Sequence, residues 1–356
     1  MLRHLLFARA GALLAQPFDA GNLKLAGEPF VVVDKVGVTA YGGRVALSVS
    51  DNGSLIYDPT GSYNNQQLIW VDRAGKRLES VGAPGLIDAP SLSPDGKRVA
   101  VARLDPQTRT YDIYVIDLAR GGTSGRLTFD PGDDRYPVWS PDGSHIAWGA
   151  NRGAGSHFYQ KLASGGGQEE LLLKADAPSY PTSWSADGRF IFYARVDPKT
   201  GFDLWVLPVE GERQPFPFLQ TPFSEGYGRF SPDGHWVAYQ SNEQGRFEVF
   251  VQTFPASGGK WQVSTNGGTF AHWRSDGKEL FYLSGDNKLM AVEVKPGSSF
   301  EAGVPKALFD LAPLRALPNA YAVTADGQRF LFVTQGEATA NLQYTVVVNW
   351  MAEAKK

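Results

Sequence analysis

Short runs of apolar residues, bounded by tight turns, recur along the whole chain. The clearest case is residues 137–148, where apolar positions flank Ser140-Pro141-Asp142-Gly143 on both sides. Proline sets φ for the turn, aspartate can bond nearby backbone amides, and glycine accepts a positive φ. This pattern predicts a β-hairpin with a Pro-Asp-Gly turn. No window shows sustained helical periodicity, so we expect a chain that is almost entirely β.

The hairpin is one copy of a repeat. Its turn glycines stand at positions 53, 96, 143, 188, 234, 277 and 327, so successive copies are 43, 47, 45, 46, 43 and 50 residues apart. A period in the forties with several strands in each unit is typical of a propeller blade. The sequence therefore predicts a single all-β propeller of four-stranded antiparallel blades. Seven blades are preferred, and eight are the alternative.

The two ends of the chain are expected to close the ring. Residues 29–34 have the pattern of an outer strand, and the last unit, which ends near residue 350, lacks one. An open ring would leave a sheet edge exposed, so we expect residues 29–34 to complete the last blade. Residues 1–18 then form an extra hairpin or partial blade, and a signal peptide is the alternative for that segment. We expect the propeller to span residues 19–350 and residues 351–356 to be a disordered tail.

Composition and charge narrow the possible functions. The chain is 42% hydrophobic and 12% aromatic, which is ample for a core. Its net charge is −3, from 34 basic and 37 acidic residues, and we therefore expect no nucleic-acid partner. The absence of cysteine excludes disulfides, thiolate metal sites and a cysteine nucleophile. No apolar run is long enough to span a membrane.

The aspartates of the repeated turns are the first candidates for chemistry. Each one stands beside its own glycine in a separate turn, so a structural role is expected. These turn residues are Asp95, Gly96, Asp142, Gly143, Asp187, Gly188, Asp233, Gly234, Asp276, Gly277, Asp326 and Gly327. Aromatic residues near the turns (Trp139, Trp184, Phe230 and Trp273) are expected to pack between blades.

The mouth of the central channel is the more promising place for a ligand. Propellers commonly bind ligands where loops enter the innermost strands, and tyrosine and arginine are favoured at interfaces. The candidate binding residues are Asp88, Asp134, Arg135, Tyr136, Tyr180, Glu225, Tyr227, Arg229, His272 and Arg274. The alternative is that they are solvated loop residues and interblade pairs. Five scattered histidines, and no His-Glu-x-x-His or Gly-x-Ser-x-Gly motif, lead us to expect no catalytic residue, metal or cofactor.

The Ser-Pro-Asp-Gly hairpins resemble TolB-like, or PD40, propeller repeats. Several stretches also resemble the C-terminal propeller region of bacterial multidomain serine/threonine protein kinases. They include Asp203-Leu204-Trp205-Val206-Leu207-Pro208, Phe218-Leu219-Gln220-Thr221-Pro222-Phe223 and Tyr344-Thr345-Val346-Val347-Val348-Asn349-Trp350.

This resemblance implies a sensor or scaffold module that acts outside the cytoplasm, in the periplasm; a cytoplasmic location is the alternative. We expect a monomer that binds a protein, peptide or small ligand. Kinase activity is not implied, because the chain lacks the Val-Ala-Ile-Lys, His-Arg-Asp and Asp-Phe-Gly motifs. The alternative is a channel-mouth enzyme, such as a TolB-like polysaccharide lyase or hydrolase. Such lyases bind metal through grouped histidines, and only His272 lies near a strand expected at the channel.

Overall fold

The computed structural model describes residues 3–9, 11–36, 45, 47–50, 53–57, 59, 66–153, 155–295, 297, 299–336 and 344–350. The expected tail at residues 351–356 lies outside these residues. The first strands are β1 (Arg3–Arg9), β2 (Ala12–Asp19), β3 (Lys24–Leu25), β4 (Phe30–Val33), β5 (Leu47–Val49), β6 (Leu55–Tyr57), β7 (Gln66–Asp72), β8 (Arg77–Gly85), β9 (Ile87–Leu92), β10 (Arg98–Leu104), β11 (Tyr111–Asp117) and β12 (Thr123–Arg126). They are followed by β13 (Asp134–Trp139), β14 (His145–Arg152), β15 (Gly155–Leu162), β16 (Glu170–Lys174), β17 (Ser179–Trp184), β18 (Phe190–Asp197), β19 (Gly201–Pro208), β20 (Phe216–Leu219), β21 (Glu225–Phe230) and β22 (Trp236–Ser241). The last are β23 (Glu248–Thr253), β24 (Lys260–Gln262), β25 (Gly268–Trp273), β26 (Glu279–Ser284), β27 (Lys288–Lys295), β28 (Glu301–Ala302), β29 (Lys306–Asp310), β30 (Ala316–Val323), β31 (Arg329–Gln335) and β32 (Thr345–Val347).

The all-β prediction is confirmed. Strands dominate the described residues, which also contain a short 3₁₀ turn at Ala312–Leu314. None of the helical structure in those residues is long and apolar enough to cross a membrane.

The Ser-Pro-Asp-Gly segments fold into tight turns held by their own side chains. Gly143 has a φ of +70°, a conformation that residues with a Cβ rarely adopt. The Ser140 hydroxyl donates to Asp142 Oδ1 at 2.5 Å and accepts from the His145 N–H at 2.9 Å. Asp142 Oδ1 also accepts from the Ser144 N–H at 3.0 Å. The carboxylates of Asp95, Asp187, Asp233 and Asp326 accept hydroxyl hydrogen bonds of 2.5–2.6 Å in the same way.

Residues 67–334 form one compact unit that contains six sheets, five of them built from consecutive antiparallel strands. Four sheets have four strands each: β9–β12, β13–β16, β17–β20 and β21–β24. A fifth contains β25–β29, and the sixth has the order β30-β31-β7-β8. The first strand of each sheet contacts the first strand of the next, in the cycle β9, β13, β17, β21, β25, β30 and back to β9. This is the arrangement of propeller blades around a central channel.

The expected closure by residues 29–34 is not confirmed. β4 pairs with β2, and the sheet of β30 and β31 is completed by β7 and β8. The physical reason is that β7 is apolar on both faces. Leu68 and Trp70 pack into one buried cluster, and Ile69 and Val71 pack into the next. Such a strand is stable only when both its faces are covered, whereas Val31 in β4 is 51% exposed.

The expected number of seven blades is also not confirmed. The turn at Gly53 joins β5 to β6, and this hairpin pairs with β32 in a three-stranded sheet instead of leading into β7 and β8. Two members of that turn, Asp51 and Asn52, lie outside the described residues. The turn therefore shares the local sequence of the repeat but not its sheet.

The second compact unit comprises residues 1–66 and 335–356. Its described part contains the β1–β4 sheet and the sheet of β5, β6 and β32. The hairpin of β1 and β2 lies in the segment where an N-terminal hairpin is expected. The core of this unit is formed by Leu13, Ala15, Val36, Leu55, Tyr57 and Trp350.

Candidate functional site

A cavity of about 180 Å³ lies among the innermost strands of the 67–334 unit. Every one of the six innermost strands contributes to its wall. The charged and aromatic lining residues are Asp88 (β9), Tyr136 (β13), Tyr180 (β17), Tyr227 and Arg229 (β21), Phe270 and His272 (β25), Tyr321 (β30) and Phe202 (β19). Because all six strands meet here, the cavity is part of the central channel.

Bulges in the innermost strands place aromatic side chains along the cavity. The pairing of β13, β21 and β25 with the next strand is shifted in each case. At these bulges, Tyr136, Tyr227 and Phe270 have φ values of +57°, +54° and +55°. A non-glycine residue in this region costs on the order of 1–3 kcal/mol, and such strain is concentrated at functional sites. A bulge re-aims side chains in this way.

The aromatic rings contact one another around the cavity. Centroid separations are 5.0 Å for Tyr136 and Tyr180, 6.1 Å for Tyr180 and Phe202, 4.4 Å for Tyr227 and Phe270, and 4.4 Å for His272 and Tyr321. The Tyr321 hydroxyl donates to the Phe270 carbonyl at 2.6 Å, which fixes its ring against the wall. The result is a largely apolar surface with a few polar groups, as in most ligand sites.

Arg229 supplies the positive charge of the cavity. Within the described part of the chain, its guanidinium forms no ion pair and no hydrogen bond. Burial lowers the pKa of Arg229 to about 10, so it remains charged at neutral pH. Burial, and then the charge of Arg229, hold the pKa of His272 well below its usual value, so this imidazole is neutral at pH 7.

Asp88 lines the same cavity, but its cationic partner, Arg135, is not a lining residue. It is 3% exposed, and its Oδ1 accepts the Ala89 N–H at 2.8 Å. Its Oδ2 lies 3.6 Å from an Arg135 nitrogen and accepts no hydrogen bond. The Arg135 guanidinium stacks on the Tyr111 ring at 3.6 Å, so Arg135 balances the charge of Asp88 without lining the cavity.

Two further acidic candidates are buried away from the cavity. Asp134 has an Arg152 nitrogen at 3.6 Å, but burial outweighs this cation and raises the pKa of Asp134 to about 7. Glu225 accepts hydrogen bonds from the Thr221 hydroxyl at 2.5 Å and the Ser241 hydroxyl at 3.3 Å. Burial is the largest influence on Glu225 and raises its pKa. Glu225 thereby links the loop before β21 to β22.

Arg274 belongs to a turn. It takes the place that Ser140 has in the clearest copy of the repeat, and it donates to Asp276 at 2.7 Å and to Glu279 at 3.1 Å.

The structure thus brings together Asp88, Tyr136, Tyr180, Tyr227, Arg229 and His272 around the cavity. It leaves Asp134, Arg135, Glu225 and Arg274 outside the lining.

Sequence reasoning missed Phe202, Phe270 and Tyr321. Phe270 stands three positions before Trp273, just as Tyr136 and Tyr227 stand three before Trp139 and Phe230. This shared repeat position could have identified it. Phe202 comes from a strand that is not innermost, and nothing in the repeat pattern marks it.

Comparison with known proteins supports a TolB-like propeller. Residues 48–214 match the family described as the TolB β-propeller domain, PD40. The uncharacterized protein Atu1656 of Agrobacterium fabrum is 26% identical over 292 residues, which is 77% of this chain and 94% of that protein.

Solved structures agree on the fold. A protein assigned as TolB from Agrobacterium tumefaciens superposes with a TM-score of 0.62 at 20% identity, over 76% of this chain and 98% of that one. TolB from Acinetobacter baumannii gives a TM-score of 0.52 at 14% identity, over 94% of this chain and 79% of that one. Together with the geometry of the blades, these likenesses show a β-propeller fold similar to that of TolB.

Proposed function

We propose that the chain is a non-catalytic propeller that binds a protein, a peptide or a small ligand in the channel cavity. It would serve as a sensor or scaffold module outside the cytoplasm, related to those of receptor-type bacterial serine/threonine kinases. The observation that carries the proposal is the charged Arg229, without an ion-pair or hydrogen-bond partner among the described residues, in a cavity walled by aromatic side chains.

The titratable groups of the cavity favour binding over catalysis. Burial raises the pKa of Tyr227 to about 12 and also raises the pKa of Tyr136, so these two phenols are hydrogen-bond donors at neutral pH. The carboxylate of Asp88 already faces Arg135. In the described residues, no group of three potential ligand side chains is placed to hold a metal ion. Tyrosine and arginine are the residue types that dominate binding hot spots.

An enzyme is the second candidate, and His272 is the observation that favours it. A neutral imidazole can act as a general base, and the His272 ring lies 4.4 Å from that of Tyr321. This alternative predicts that His272→Gln abolishes turnover of a bound ligand.

The test is a binding survey of the full chain with a matched pair of variants. The probes are short capped peptides, aromatic acids, aromatic amides and oligogalacturonate, measured by ligand-observed NMR. Phe202 lines the cavity and is 37% exposed, whereas Phe223 is 42% exposed and does not line it. We expect Phe202→Ala to weaken at least one probe by about tenfold, as loss of a good aromatic contact does, and Phe223→Ala to leave it unchanged.

Equal binding by both variants, or no binding of any probe to the wild type, would contradict the proposal. Breakdown of a probe over time by the wild type, lost in His272→Gln, would favour the enzyme.

A further inference from the structure

Building on the proposed function, we propose that the cavity selects a carboxylate with a single negative charge, which pairs with Arg229 between the aromatic walls. Two sources share this chemistry: the C-terminal carboxylate of a peptide and a free small organic acid. The inference starts from the one cation of the cavity and the charges around it.

Arg229 differs from the other enclosed arginines. Arg126 lies 2.8 Å from Asp112, and Arg152 lies 2.7 Å from Glu169. Arg135 has both Asp88 and Asp133 within 3.6 Å. Arg229 is half-buried, and a guanidinium that loses part of its hydration without a counter-charge is unfavourable. The pKa of Arg229 is lowered chiefly by this burial. An anion bound at Arg229 would relieve that penalty.

The charge balance favours one negative charge over two. Asp88 and Arg229 are the charged residues among the lining side chains, and His272 is neutral at pH 7. A phosphate dianion would meet a single cation, which would leave one of its two charges unbalanced inside the cavity. A carboxylate carries one charge, and its two oxygens match the donor fork of a guanidinium.

The size of the cavity limits the size of the rest of the ligand. About 180 Å³ is below the 300–1,000 Å³ typical of drug-sized ligands. The space therefore suits one residue or a small acid with an apolar or aromatic side chain.

The experiment compares acids with their matched amides by titration calorimetry of the full chain. The probes are N-acetyl-glycyl-phenylalanine and its C-terminal amide, 3-phenylpropionate and its amide, and inorganic phosphate. We expect each acid to bind at least about tenfold more tightly than its amide, as a charge-assisted bidentate pair does. Arg229→Gln should remove this preference. The control is Arg120→Gln, which deletes the same charge from a side chain that is 82% exposed.

A second measurement does not depend on any variant. Because His272 lies beside Arg229 and feels its charge, a saturating acid should raise the His272 pKa in an NMR titration, and the amide should not. This readout, together with the acid-to-amide ratio of the wild type, decides the matter if Arg229→Gln fails to fold. If the peptide acid is the tighter ligand, the source is a peptide terminus; if 3-phenylpropionate is tighter, it is a small acid.

Several outcomes would overturn the inference. Equal affinity for acids and amides, with no effect of Arg229→Gln, would leave a binding cavity that does not recognise carboxylates, and the proposed function would stand. Tighter binding of phosphate would refute the single-charge argument. If no acid binds, the carboxylate inference is wrong, and the proposed function fails as well only if every neutral probe of the earlier survey also fails to bind.

Discussion

Replacing Gly228 with alanine tests how tightly the channel wall is packed. Gly228 lies between Tyr227 and Arg229, and its carbonyl accepts the Thr182 hydroxyl at 2.6 Å. A Cβ at this position would overlap Cδ1 and Cε1 of the Phe192 ring. That ring would have to retreat by about 1 Å to reach an ordinary carbon–carbon separation.

Phe192 has little freedom to move. It is fully buried, and its ring centroid lies 5.0 Å from that of Phe218 and 5.2 Å from that of Phe230. Overpacking a well-filled core costs about 1–3 kcal/mol, and these constraints put Gly228→Ala at the upper end, about 2–3 kcal/mol. At roughly 2 °C per kcal/mol for a unit of this size, the Tm should fall by about 4–6 °C.

The control is Gly125→Ala, measured in the same calorimetric scan. A Cβ at Gly125 would meet no heavy atom within 4 Å, so we expect an unchanged Tm or a slight gain. If the two variants melt within about 1 °C of each other, the packing argument for Gly228 is refuted.

Two further predictions concern the repeat turns and a buried carboxyl. Gly143→Val should destabilise the chain by more than about 1 kcal/mol, because valine resists a φ of +70°; a thermal melt equal to that of Gly125→Val would contradict this. Asp134 keeps its proton in the folded state up to about pH 7, against a pKa of 3.8 when unperturbed, so its contribution to stability falls as the pH rises through that window. As the pH rises from 4 to 7.5, the free energy of unfolding of Asp134→Asn should therefore increase by on the order of 2–4 kcal/mol relative to that of the wild type. Parallel Tm–pH curves of the two proteins would show that burial of Asp134 is not responsible.

Much of the candidate site could be predicted because it repeats. Tyr136 and Tyr227 share a position in the repeat, and the innermost strands were predicted to lead into the channel. The roles of Arg135 and Arg229 could not be separated in this way. Both are arginines in innermost strands, Arg135 near the start of β13 and Arg229 near the end of β21. On the neighbouring strand β9, Asp88 lies close to Arg135. The strands beside Arg229 instead present Thr182, Phe270 and His272 to the cavity. Pairing depends on the adjacent blade, which lies more than forty residues away in sequence.

By itself, the sequence determined the elements that depend on a few consecutive residues: the all-β character, the hairpins, and the turns in which serine, aspartate and glycine satisfy one another. The tertiary structure alone decided which distant strands share a sheet. β7 joins β31 because residues 68–71 need apolar neighbours on both faces, and no local pattern shows which strand supplies them. The tertiary structure also decided that Arg229 faces a cavity and has no counter-charge among the described residues. Whether a charge is balanced depends on long-range neighbours that local turn chemistry does not specify.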